Sequence, residues 1–244
     1  MRQRAAWILF TSVCLCAAAV HPAAQATTTS PPAVDGPFAR IAIIHPLDGH
    51  SVDFEAAYVR HLAWHAQAKD TWAWYGWTVN YSERRMWFIY ASFGHAAASF
   101  DNPVDPVGTD RDNIMNVAPH VDQWGNALYE FLPLLSRGNG VPRPAARVEM
   151  TTVDVITGSA DAFESAIKTG QSQLQDETLW YRMVAGGPTP RYLRLRPKST
   201  IEAILHDRNE QPLPDTVKSL IAKVTVEILS FRPTMSYGVQ TARE

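Results

Sequence analysis

Two spacings of apolar residues organise this chain, one of period two and one close to period 3.6. Arg40-Ile-Ala-Ile-Ile44 is a short β-branched run and predicts a strand. Asp53 to Ala68 carries Phe54, Tyr58, Leu62 and His65 on one stripe, the spacing of a helix. Trp72 to Tyr81 and Met86 to Phe93 are aromatic-rich and predict paired strands around Ser82-Glu83-Arg84. Asp101 to Asp112, rich in Pro, Asp and Gly, predicts a long loop. Val121 to Ser136 predicts a helix with Trp124, Leu128, Phe131 and Leu135 on one face, shortened or kinked by Pro133.

After Gly138-Asn-Gly-Val-Pro-Arg-Pro144 the order returns. Arg147 to Val155 predicts a strand and Asp161 to Leu174 a helix. Glu177 to Ala185 and Arg191 to Arg196 predict strands around Gly186-Gly187-Pro188. Asp215 to Leu229 predicts a helix with Val217, Leu220, Ile221, Val224 and Ile228 as its stripe, capped by Asp215. Local matches recur at offsets that drift from 107 to 109 to 106 to 97, as changes in loop length would produce: Arg40-Ile-Ala-Ile with Arg147-Val-Glu-Met, Phe54-Glu55 with Phe163-Glu164, Trp74-Tyr75 with Trp180-Tyr181, and Glu130-Phe-Leu with Glu227-Ile-Leu. The expected class is therefore α+β, two ferredoxin-like βαββα(β) units in tandem. In residue numbers the expected organisation is a signal peptide at 1–26, a flexible leader at 27–37, a first unit at 38–137, a linker at 138–145, a second unit at 146–237 and a tail at 238–244.

This order, over residues 38–237, resembles the fused form of the dimeric α/β-barrel superfamily, which includes antibiotic-biosynthesis-type monooxygenases, haem-degrading enzymes and NIPSNAP-like proteins. The resemblance implies that the sheets of the two units pack as a pseudo-dimeric α/β barrel. It rests on topology and carries no catalytic motif with it.

Strand residues alternate faces, so the repeat predicts which side chains share a side. Trp87 and Ile89 match Leu193 and Leu195, and are expected against the helices. The other face would carry Met86, Phe88 and Tyr90 in one half and Tyr192, Arg194 and Arg196 in the other, joined by Trp74, Trp180 and Arg182. If those faces meet between the sheets, they enclose a pocket with aromatic and arginine walls, suited to an amphipathic anion such as an aromatic acid. If they do not, the arginines are solvated.

His61 and His65, spaced i and i+4, share a helix face. The pair suits a metal or haem ligand or a general base, and equally a packed contact beside Trp64. The second half has Gly170 and Leu174 at these positions, so the histidines are an addition peculiar to the first half. His45, His50 and His95 fall at element ends, where a pocket rim lies. Asp101, Asp105, Asp110 and Asp112 read as loop solvation and helix capping; their spacing does not match a calcium-binding loop. No metal site is assigned, and the cofactor is left open.

Composition narrows the picture. Arg2 and Arg4, the apolar run Ala5 to Val20 and Ala24-Gln-Ala26 have the form of a cleavable export signal. Both cysteines, Cys14 and Cys16, lie inside it. Cleavage would remove thiol chemistry and disulfides, and would leave 20 basic against 24 acidic residues, a formal charge of −4. That balance disfavours nucleic acid as a partner. The expectation is an exported, periplasmic or extracellular protein without a stable membrane anchor, of open oligomeric state. It would bind a small anionic or aromatic molecule between its halves. The alternatives are a cofactor-independent or haem-linked monooxygenase-type enzyme using His61 or His65, and an envelope interaction module.

Overall fold

The computed structural model describes residues 34–170, 174–210 and 213–240. The expected signal and most of the leader lie outside the described residues. The element order is β1 (Phe38–Pro46), α1 (Ser51–Gln67), β2 (Tyr75–Tyr81), β3 (Phe88–His95), α2 (Pro106–Asp112), β4 (Val121–Phe131), β5 (Arg147–Val155), α3 (Ala160–Gly170), β6 (Leu179–Ala185), β7 (Arg191–Lys198), α4 (Ile201–Glu210) and β8 (Ile221–Phe231). Eight antiparallel strands close into one barrel in the order β1-β3-β2-β8-β5-β7-β6-β4. Among the described residues no helix is long and apolar enough to cross a membrane.

Two elements correct the sequence reading. Val121–Phe131 and Ile221–Phe231 are strands, where helices were expected. These are the barrel's closing strands: β4 pairs with β1 and β6, and β8 pairs with β5 and β2. The i, i+4 apolar spacing that suggested helices is real but ambiguous. In β4 the strand period sends Ala127, Tyr129 and Phe131 into the barrel and Trp124 outward to a cavity wall. Gly125 is a poor helix former, and Val224, Thr225, Val226 and Ile228 are β-branched, so local preference sides with the sheet. Asp215 opens a short 3₁₀ turn, makes no capping bond and pairs with Lys218 at the surface. Helix α2 lies inside the Asp101–Asp112 stretch, where a loop was expected, and a further helix, α4, follows β7.

The alternation of faces holds, but the sides are exchanged. Ile89, Leu193 and Leu195 point into the barrel with Tyr75, Trp77, Tyr181 and Met183. Phe88 and Tyr90 lie outside it, under α1 with Phe54, Tyr58 and Leu62; Trp180 and Tyr192 lie under α3 with Phe163 and Ile167. A closed barrel turns every inward side chain toward one shared axis, and that axis takes the aliphatic and aromatic set, because unpaired guanidinium groups there would lose their hydration. Helices α1 and α3 then cover apolar stripes on the outer wall. Each buried Phe or Leu of these stripes contributes about 1.5–3 kcal/mol.

Candidate functional site

Helix α1 buries Phe54, Ala57, Tyr58, His61, Leu62 and His65 against the outer wall of the first half. The i, i+3, i+4 rhythm makes these one face. Between that face, β1, β3 and the segment carrying α2 lies a cavity of about 380 Å³. His61 and His65 form its floor, Trp72, Trp74 and Tyr90 one wall, and Arg40 and Trp124 the side toward the sheet.

The two imidazoles are 3 % exposed each and sit in a chain of four groups. Asp112 Oδ2 is 2.8 Å from His61 Nδ1. The two Nε2 atoms are 3.2 Å apart, and His65 Nδ1 is 2.7 Å from Asp70 Oδ2. The tautomers follow from counting donors. With both Nδ1 atoms protonated toward their carboxylates, the two Nε2 lone pairs face each other. One further proton between them satisfies all three contacts together. Tyr90 Oη, 3.0 Å from His65 Nε2, supplies a hydrogen bond when that proton is absent. Burial, and then repulsion from His65, lower the His61 pKa to about 4.

Neighbouring groups hold this chain in place. Burial alone would raise the Asp70 pKa, but hydrogen bonds from His65, the Trp72 amide and the Trp74 indole outweigh it and keep Asp70 ionised. Asp112 also accepts from Asn116 Nδ2 at 2.8 Å. Burial raises the pKa of both Tyr58 and Tyr90 well above the usual phenol value, so both remain O–H donors. The Tyr58 and Tyr90 rings meet edge to face, with centroids 4.9 Å apart.

Arg40 supplies the cavity's positive charge. Its guanidinium lies 5.5 Å from the Trp74 ring centroid, and its Nε donates to Asn126 at 3.1 Å. Among the described residues it forms no ion pair. Burial lowers its pKa, but a guanidinium stays charged. Trp74 stacks on Tyr90 with centroids 4.4 Å apart and planes 11° from parallel. A flat apolar body fits such a wall, with an acidic group directed at Arg40.

Of the residues expected from sequence, the structure brings His61, His65, Trp74 and Tyr90 together here. Phe88 packs beneath them against Phe54 and Tyr58. The remaining expected residues belong to the second half, and their placement between two sheets is corrected. Trp180 and Tyr192 are core under α3. Arg182 pairs with Glu130 and Glu164. Arg194 pairs with Glu149, and Arg196 with Glu149 and Asp207. Strand register explains the difference between the halves. Pairing register moves the equivalences two residues from the sequence matches, so that Glu149 and not Arg147 stands where Arg40 does, and Arg194 where Tyr90 does. Tyr90 faces Ala42 and Gly76, whereas Arg194 faces Thr151 and Trp180. Arg40 faces Ser92, whereas Glu149 faces Arg196. The second half thus meets Arg182, Arg194 and Arg196 with carboxylates, while Arg40 of the first half lines the cavity.

Sequence reasoning missed Arg40, Tyr58, Asp70 and Asp112 as site residues. Asp70 follows His65 by five residues, a spacing that a helix end can close. Asp112 was grouped with solvated loop acids, one of which, Asp105, does cap α2 by accepting from the Gly108 amide. His45 pairs with Asp122, and His95 stacks on Trp72 with centroids 3.6 Å apart. Haem ligation finds no free donor at the pair: all four ring nitrogens of His61 and His65 already have partners.

No protein-family model matches the chain, and no curated protein matches it by sequence. Solved structures do. An anthrone oxidase-like protein shares 10 % identity over 86 % of this chain and 97 % of its own, with a TM-score of 0.60. A candidate monooxygenase from Lactobacillus acidophilus shares 10 % over 83 % and 96 %, with a TM-score of 0.58. A chlorite dismutase from Candidatus Nitrospira defluvii shares 8 % over 82 % and 93 %, with a TM-score of 0.51. At such identities the likeness establishes the fold, that of the dimeric α/β-barrel proteins.

Proposed function

We propose that this protein is an exported enzyme of the dimeric α/β-barrel type, built from two ferredoxin-like units, that deprotonates a small phenol or its keto tautomer and passes the resulting anion to dioxygen. The observation that carries the proposal is the Asp112–His61–His65–Asp70 chain opening on an aromatic cavity that holds an unpaired arginine. The ring lies on Trp74 and Tyr90, and Arg40 stabilises the negative charge that develops as the proton leaves. The proton goes to the facing Nε2 atoms, each ring carrying a carboxylate behind its Nδ1. The electron pair left on the substrate then forms a carbon–oxygen bond to dioxygen, and the returned proton yields a hydroperoxide. Atoms and electrons balance without a reductant. The names of two fold neighbours, a candidate monooxygenase and an anthrone oxidase-like protein, support dioxygen as the co-reactant.

Anthrone and simple naphthols are suitable probes. Binding is read from quenching of tryptophan fluorescence, deprotonation from the red-shifted absorbance of the bound anion, and turnover from an oxygen electrode. Arg40→Ala is expected to weaken binding about tenfold or more. His65→Gln and Asp70→Asn are expected to retain binding and lose the anion spectrum and oxygen uptake. Bound probe with no anion and no oxygen uptake in the native protein would reduce the site to a binding pocket, and equal binding by Arg40→Ala would refute the proposed orientation.

A further inference from the structure

A second cluster of ligating side chains stands at the other end of α1, where the helix enters from β1. His50 precedes the helix, Asp53 lies in its first turn, and His120 ends the 3₁₀ turn before β4. One ligating atom from each of the three lies within 4.8 Å of the other two. His50 Nδ1 and Asp53 Oδ2 are 3.5 Å apart, at an i, i+3 spacing that puts both on one side of the first turn. None of the three is among the residues lining the cavity of His61 and His65.

Backbone bonds hold the ligands together independently of their side chains. The Leu47 amide donates to the His120 carbonyl at 2.9 Å, the His50 amide to the Leu47 carbonyl at 2.9 Å, and the Phe54 amide to the His50 carbonyl at 2.8 Å. The turn carrying His50 and Asp53 is thereby tied to the turn carrying His120. His120 Nδ1 is itself buried without a hydrogen-bond partner among the described residues. A buried ring nitrogen with no partner is costly, and a neutral imidazole satisfies that cost by ligating a cation.

We propose that His50, Asp53 and His120 form a three-ligand site for a divalent first-row transition-metal ion. Two imidazoles and one carboxylate are the donor set such ions take, and oxygen-seeking calcium or magnesium would not select two histidines. His50 and Asp53 are exposed, which leaves room for water to complete the coordination. The ion would pin the start of α1 to the β4 entrance, and so brace the helix that carries His61 and His65. The site stands independently of the proposed reaction.

The test is titration of chelator-treated full chain with Zn²⁺ by calorimetry, with the visible absorption of Co²⁺ as a second probe. One equivalent should bind, the ligand-field bands of a nitrogen-coordinated Co²⁺ should appear, and Tm should rise with Zn²⁺ concentration. His120→Ala and Asp53→Asn should each weaken binding about tenfold or more. Asp53 is exposed, so Asp53→Asn decides the matter if His120→Ala fails to fold. Absence of binding, or equal binding by Asp53→Asn and native protein, overturns the site and marks any uptake as adventitious capture by surface histidines.

Discussion

At the scale of single residues the molecule separates charges that are satisfied from charges that are held ready. Glu149 is 1 % exposed and faces both Arg194 and Arg196. Burial lowers the Arg194 pKa to about 10, a direct sign that its hydration is gone. Glu149→Gln removes the buried carboxylate charge that Arg194 and Arg196 share and is expected to destabilise the fold by about 3 kcal/mol, read by denaturant unfolding. The buried imidazoles set an acid limit. Burial lowers both His61 and His95 to about 4, below the ordinary 6.5, so protonation favours the unfolded chain. Their contribution is complete above about pH 6.5 and is lost as pH falls through 4, about 3 kcal/mol for His61 and less for His95, whose charge solvent screens more. Tm should therefore decline over that interval, and His95→Gln should make the decline shallower.

At the scale of elements, what matters is which neighbour each strand acquires. β2 passes so close to the 3₁₀ turn after β8 that a Cβ on Gly76 would stand 2.1 Å from the Met235 carbonyl oxygen. Gly76→Ala should cost about 2 kcal/mol or more, because the obstacle is backbone and cannot rotate away. Gly49, in the turn before α1, has φ +81° and open space around its Cβ direction. Gly49→Ala should cost only about 1 kcal/mol of conformational strain. Comparing the two midpoints of unfolding tests whether the β2 contact is as tight as its geometry requires. Most elements were legible from periodicity alone: β5 runs Arg147–Val155 as expected, and α1 runs Ser51–Gln67 against an expected Asp53–Ala68. The closing strands β4 and β8 were not. Their outward faces are half exposed, and an apolar residue every fourth position satisfies a strand of even spacing as well as a helix.

At the scale of the whole molecule, the seams β2–β8 and β4–β6 join the two halves into one hydrogen-bonded ring. Side chains from both halves share the interior, where Phe93 meets Tyr181 with ring centroids 5.6 Å apart. Neither half can open without exposing that interior. Thermal unfolding should therefore be a single transition, coincident by tryptophan fluorescence and far-ultraviolet circular dichroism. Two separated transitions would show that the halves are energetically independent.

The sequence by itself determined the class of fold, the alternation along most strands, and the singularity of His61 and His65, because periodicity and internal comparison are properties of the chain. It also contained Arg40, Asp70 and Asp112, but nothing in their spacing joined them. Only closure of the barrel decided which face of each strand turns inward. That choice sent the second half's arginines to their carboxylates and left Arg40 beside a paired imidazole, because burial of charge is settled by neighbours in space and not by neighbours in sequence.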